Sequence, residues 1–126
     1  MKKMVLLYHF SQDRLQGIRR SLLPLRVLAR EVPPEDYAQP IGALVEAEGF
    51  QRTEAAAAET FDEEMLVMYG FNSADLDIFL KMLRKNGVGR IALKAVVTKT
   101  NIHWSSTELY RAVRADHEAM QHQQKS

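Results

Sequence analysis

Met4-Val5-Leu6-Leu7-Tyr8-His9-Phe10 returns 61 residues later as Met65-Leu66-Val67-Met68-Tyr69-Gly70-Phe71. Each stretch opens as a short continuous apolar run, the pattern of a strand covered on both faces. Each closing aromatic is followed by a capping residue, Ser11 or Asn72. A leucine stands five places beyond the aromatic, Leu15 or Leu76. That spacing is a hydrophobic staple across a helix start: the side-chain oxygen takes an orphan N–H, and the apolar pair fixes the entry angle.

The offset of 61 also places Leu22 on Leu83. At an offset of 65, Val32 falls on Val97, Asp36 on Asn101, Leu44 on Leu109 and Ala47 on Ala112. The shift falls at a helix-to-strand turn, where the second copy carries Asn86-Gly87-Val88-Gly89, and loops tolerate such insertions. The chain therefore reads as two diverged copies of one strand–helix–strand–helix unit. Repeat one covers about residues 4–48, an acidic linker about 51–64, and repeat two about 65–122.

Helical spacing in the first copy buries Leu15, Ile18 and Leu22; in the second it buries Leu76, Phe79, Leu80 and Leu83. Pro24 and Gly87 mark the helix exits. Second strands are expected at about 25–32 and 91–97, and closing helices at about 40–48 and 106–122. The last helix has a full start signal, with Ser105 and Glu108 as capping box and Trp104 and Leu109 as staple. A strand–helix–strand crossover joins parallel strands. The expected fold is α/β: two pseudo-symmetric β-α-β-α repeats forming a four-stranded sheet with helices, in the ferredoxin-like neighbourhood, as a single domain over 1–126. Ala55-Ala56-Ala57-Ala58 in the linker reads as a surface linker or a short exposed helix.

The chain has 126 residues and no cysteine, which excludes disulfides, thiolate chemistry and cysteine-ligated zinc. The first ten residues imitate a signal peptide faintly, but His9 breaks the apolar run and no small-residue cleavage site follows. No apolar run approaches the roughly 20 residues of a membrane span. The expected location is cytoplasmic. The net charge of +1 hides a segregation: residues 1–30 carry +6, 31–64 carry −9 and 65–126 carry +4. Such patterning marks either a basic face for nucleic acid or basic helices neutralised by an acidic loop. The pI of about 8.0 argues against a dedicated nucleic-acid binder.

The densest polar cluster runs from 94 to 104, where Lys94, Thr98, Thr100, Asn101, His103 and Trp104 leave a strand and enter the last helix. Ligands of parallel α/β sheets gather at the carboxyl ends of strands, because helix amino termini and loop amides converge there. These six are the candidate ligand-binding residues, for an anionic or ring-bearing ligand. The structural alternative is that Thr98 and Asn101 only satisfy loop amides, Trp104 is a staple, and Lys94 reaches solvent from an edge strand. His117 and His122 are five apart, which is not a metal-ligand spacing on one helix face. No metal site and no cofactor are expected. There is no Gly-x-Ser-x-Gly and no phosphate-cradling loop, so no catalytic residue is assigned. Asp75 and Asp77 stand at a helix start, where they favour its dipole.

The segment Met65-Leu66-Val67-Met68-Tyr69-Gly70-Phe71, followed by Leu93-Lys94-Ala95-Val96-Val97-Thr98, Thr100-Asn101 and Trp104, resembles a bacterial family known as domain of unknown function 3783. The resemblance covers about residues 64–120, and Lys99 stands where the family pattern has proline. It implies small cytosolic proteins with no assigned activity and supplies no catalytic residues. Three functions compete. The first is a non-catalytic binding or regulatory module that takes a small ligand or protein partner at 94–104. The second is a small enzyme using Lys94 or His103. The third is a weak nucleic-acid binder through Lys2, Lys3, Arg14, Arg19, Arg20 and Arg26. That last reading needs exposed stacking aromatics, and Tyr8 and Tyr69 are expected to be buried. A homodimer through a free sheet edge is compatible with the chain.

Overall fold

The computed structural model describes residues 2–54 and 59–124, with side chains as far as Gln121. The alanine run 55–58 and the His122 side chain lie outside the described residues. Four strands, β1 (Met4–Tyr8), β2 (Leu28–Glu31), β3 (Met65–Tyr69) and β4 (Lys94–Val96), form one sheet in the order β2-β1-β3-β4. The helices are α1 (Gln12–Leu22), α2 (Ile41–Leu44), α3 (Ser73–Lys85) and α4 (Ser106–Gln124).

The two apolar runs pair antiparallel at the sheet centre, with Leu6 opposite Val67. Adding 61 to one partner and subtracting it from the other carries Met4↔Tyr69 onto Tyr8↔Met65, so this ladder maps onto itself. The outer pairs are parallel. Offsets of 61 on β1 and 65 on β2 carry Val5↔Ala29 onto Leu66↔Lys94. Each crossover joins adjacent strands, whereas a ferredoxin-like sheet splits its β-α-β unit with another strand.

Both sheet faces are covered, which explains why β1 and β3 do not alternate apolar with polar. Val5, Leu7, Leu66 and Met68 pack under α1 and α3 with Leu15, Ile18, Leu22, Phe79 and Leu83. Met4, Leu6, Tyr8, Met65 and Val67 pack on the other side with Tyr37, Ile41, Leu44, Phe61 and Leu109. The Tyr8 hydroxyl, fully buried, hydrogen-bonds Ser106 Oγ at 2.6 Å and ties the central strand to the start of α4. Tyr69 is half-buried, because its ring lies at the margin of the same core.

The helix starts follow the caps. Ser11 accepts from the Arg14 amide, and Asn72 and Asp75 form a reciprocal capping box. Ser105 and Glu108 form another at α4. Three boundaries differ from expectation. The strand expected from residue 25 begins at Leu28, because Pro24 opens a 3-10 turn and Arg26 turns left-handed at φ 53°. The strand expected over 91–97 is confined to Lys94–Val96; Ile91 and Leu93 are buried ahead of it, and Leu93 contributes only its carbonyl, to Leu66 N. The helix expected over 40–48 ends at Leu44, because Glu46 turns left-handed at φ 57° and folds the Phe50 ring flat over Gly42.

The segregated charge is largely neutralised inside the fold. Acids of 31–64 pair with bases elsewhere as Lys2–Glu46, Arg14–Glu64, Arg19–Glu31, Arg111–Glu59 and Arg114–Glu63, and Arg52 pairs with Asp36 within the segment. Thr107 Oγ1 donates to the Glu59 carbonyl at 2.5 Å, and Phe61 stacks on Tyr110 at 4.1 Å. The acidic segment is thus clasped onto α4.

Candidate functional site

β4 is an edge strand, paired on one side only. Leu66 N donates to Leu93 O and Val97 N donates to Met68 O. In a parallel ladder this pattern turns the main-chain groups of Ala95 toward β3 and those of Lys94 and Val96 outward. Asn101 Nδ2 reaches back to the Val96 carbonyl at 3.1 Å and covers part of that edge.

A groove flanks this edge on each sheet face. On the α4 side, Ala95, Asn101, Trp104, Val113, His117 and Met120 line a groove of about 350 Å³. It exists because α4, at 19 residues, runs on past the core. Leu109 is buried, Val113 is packed against the core margin, and Met120 is 60% exposed on the same helical stripe. On the α3 side, Leu80, Leu83, Arg84, Arg90 and Ile91 line a second groove of about 420 Å³. Lys94 lines both.

The predicted cluster divides. Lys94, Asn101 and Trp104 line the α4 groove. Asn101 does so as a structural residue, since its Oδ1 accepts from the Thr98 amide and its own amide donates to Thr98 Oγ1. Thr98 and Asn101 thereby close the loop on itself. Thr100 is exposed, and its side chain does not cap the 3-10 turn Asn101–His103 that follows it. His103 turns away to pack on Phe50, with ring centroids 5.2 Å apart. Trp104 is half-buried against the core, and its carbonyl accepts from Ile41 N at 2.7 Å. His9 has different partners, its Nε2 lying 2.7 Å from the Tyr37 hydroxyl.

Lys94 Nζ donates to the Ile91 carbonyl at 2.6 Å. Desolvation by burial, and then the charge of Arg90, pull its pKa below the usual lysine value. Among the described residues, Arg84, Arg90 and Lys94 have no acidic partner. Sequence reading passed over Arg84, Arg90 and Met120, and weighed His117 only as a metal ligand, because their convergence on one sheet edge is tertiary. The helical stripe Leu109, Val113, Met120 was the signal that could have found the α4 side.

Two other crevices lie at the carboxyl ends of the parallel pairs, one beside His9 and Glu31 and one beside Lys3 and Gly70. Their polar groups are already engaged: His9 by Tyr37, Glu31 by Arg19, Lys3 by Asp75. Beside β4, by contrast, Arg84, Arg90 and Lys94 share one groove with no acidic partner among the described residues. Among the described residues there is no cluster of three or more metal-ligating side chains, and no helix is long and apolar enough to cross a membrane.

Residues 64–120 match the family described as Domain of unknown function (DUF3783), a segment that runs from β3 through most of α4 and contains both grooves. No curated protein and no solved structure gives a significant match to the chain.

Proposed function

We propose that the protein is a non-catalytic binding module of the cytoplasm, folded as a single domain, whose ligand or partner engages the edge of β4. One observation carries the reading: Lys94 stands on a half-paired strand between two grooves that other elements leave open. Ligand sites are concave, mostly apolar and fitted with a few convergent polar groups, and both grooves have that make-up. Of the six residues picked from sequence, Lys94 and Trp104 are the ones we assign to contact. Thr98 and Asn101 hold the loop that presents them.

Catalysis by Lys94 and His103 is the weaker reading, because Lys94 contacts Ile91 and His103 contacts Phe50. Nucleic-acid binding through the first helix is weakened by the engagement of Arg14 and Arg19 with Glu64 and Glu31. A fragment screen read by amide chemical shifts tests the proposal. Shifts concentrated on Leu80–Arg84, Arg90–Val97 and Val113–Met120 are expected. A screen whose hits all cluster at His9 and Glu31 would contradict it.

A further inference from the structure

We infer that the occupant of this edge is an extended segment of a partner protein, added to β4 as a fifth strand, with acidic residues facing α3 and apolar residues facing α4. The inference rests on the binding reading above and goes further, by naming the occupant.

A strand laid against β4 meets the outward N–H and C=O of Lys94 and the outward N–H of Val96, whose carbonyl is already held by Asn101 Nδ2. Main-chain hydrogen bonds give such strand addition its affinity, and pockets for alternate side chains give it specificity. Successive side chains of the incoming strand point to opposite faces. Those beside Lys94 and Val96 point to the α3 face, because Lys94 is registered with Leu66, which packs under α1 and α3. There they meet Arg84, Arg90 and Lys94 over a floor of Leu80, Leu83 and Ile91. Three cations without a counter-charge among the described residues favour a carboxylate at that position.

The intervening side chains point to the α4 face. They meet Trp104, Val113 and Met120, with Asp116 set against a second acid. Charge also argues against a second copy of this chain as occupant. Antiparallel pairing of β4 with its own copy adds another Lys94 to the cationic face, and like charges across a ladder are destabilising.

The probes are an eight-residue peptide alternating Val and Glu, its Val and Lys counterpart, and a Glu peptide with the acids in one block, each titrated calorimetrically. The alternating Val–Glu peptide should bind at least about tenfold more tightly than the other two. Arg84→Glu with Arg90→Glu should erase that preference. Val96→Pro removes one outward donor and leaves the Ala95 groups that face β3 in place. It should weaken the Val–Glu peptide by a further order of magnitude or so while leaving the thermal midpoint near that of the parent. Val96→Ala should bind normally and controls for the lost side chain.

Equal binding of the Val–Lys peptide overturns the acidic preference, and undiminished binding by Val96→Pro overturns strand addition. Concentration-dependent dimerisation abolished by Val96→Pro overturns the choice of occupant. If no peptide binds while fragments still occupy the grooves, the inference fails and the binding reading stands. If neither binds, both fail.

Discussion

The two halves of the molecule share a ladder and differ in how they close it. In the first half, β2 is followed by a one-turn helix, α2, and Arg30 Nη1 donates to the Leu44 carbonyl across that junction. In the second half, β4 is followed by a 19-residue helix that outruns the sheet, with Met120 on its projecting stripe. One closing helix folds down and completes the core. The other reaches out and creates a groove. Equivalent positions therefore carry different duties, and the binding surface proposed above lies in the half with the longer helix.

The turn after the central strands offers the sharpest contrast. His9 and Gly70 are equivalent at an offset of 61, and both are left-handed, at φ 63° and 82°. Glycine adopts that conformation freely, whereas another residue strains by about 1–2 kcal/mol. His9 is held there by its bond to Tyr37. A Cβ on Gly70 would come within 2.6 Å of the Lys2 carbonyl oxygen. Gly70→Ala should therefore cost more than about 2 kcal/mol, through strain and clash together. His9→Gly should be nearly neutral, because relief of strain offsets the lost hydrogen bond. Urea unfolding of the two variants checks this; equal losses would break the comparison.

The paired tyrosines should differ less. Tyr8→Phe leaves Ser106 Oγ buried without its partner and should cost about 1–3 kcal/mol, while Tyr69→Phe, half-buried, should stay within roughly 0.5 kcal/mol. At the helix starts, Asn72→Ala should cost about 1 kcal/mol. Ser11→Ala should cost less, because the Ser11 bond is 3.4 Å long where the Asn72 bond is 2.8 Å. Circular-dichroism melts would rank all four.

The smallest effect is a pH effect. The Lys3 ammonium, 2.8 Å away, and then the Asn72 amide hold the Asp75 carboxyl below its ordinary value of 3.8. A depressed carboxylate adds stability above the ordinary value and loses it as pH falls through the lower folded value. The parent should therefore lose stability below pH 3.8 more steeply than Asp75→Asn does. Parallel acid limbs in denaturant titrations would remove Asp75 from that role.

Much of the scaffold could be read from residues alone. Continuous apolar runs, capping residues and staple spacings act over a few neighbours, so β1, β3, α1, α3 and the start of α4 are encoded locally. Which central residues stand opposite was not legible: in the antiparallel ladder only the middle pair, Leu6 and Val67, is separated by the repeat offset of 61. The short outer strands were overestimated, because buried Ile91 and Leu93 look like strand residues whether or not they pair. The site was legible only in part. Lys94 and Trp104 announce themselves beside a helix start, but Thr98 and Asn101 use their polarity on each other. Arg84, Arg90 and Met120 come from separate elements, and the fold alone brings them to one edge.

Amide hydrogen exchange at β4 tests the central claim most directly. In the free protein, the amides of Ala95 and Val97 should be protected by β3 and those of Lys94 and Val96 should exchange freely. With the alternating Val–Glu peptide bound, Lys94 and Val96 should become protected as well. Peptide binding that leaves those two amides exchanging freely would contradict the account.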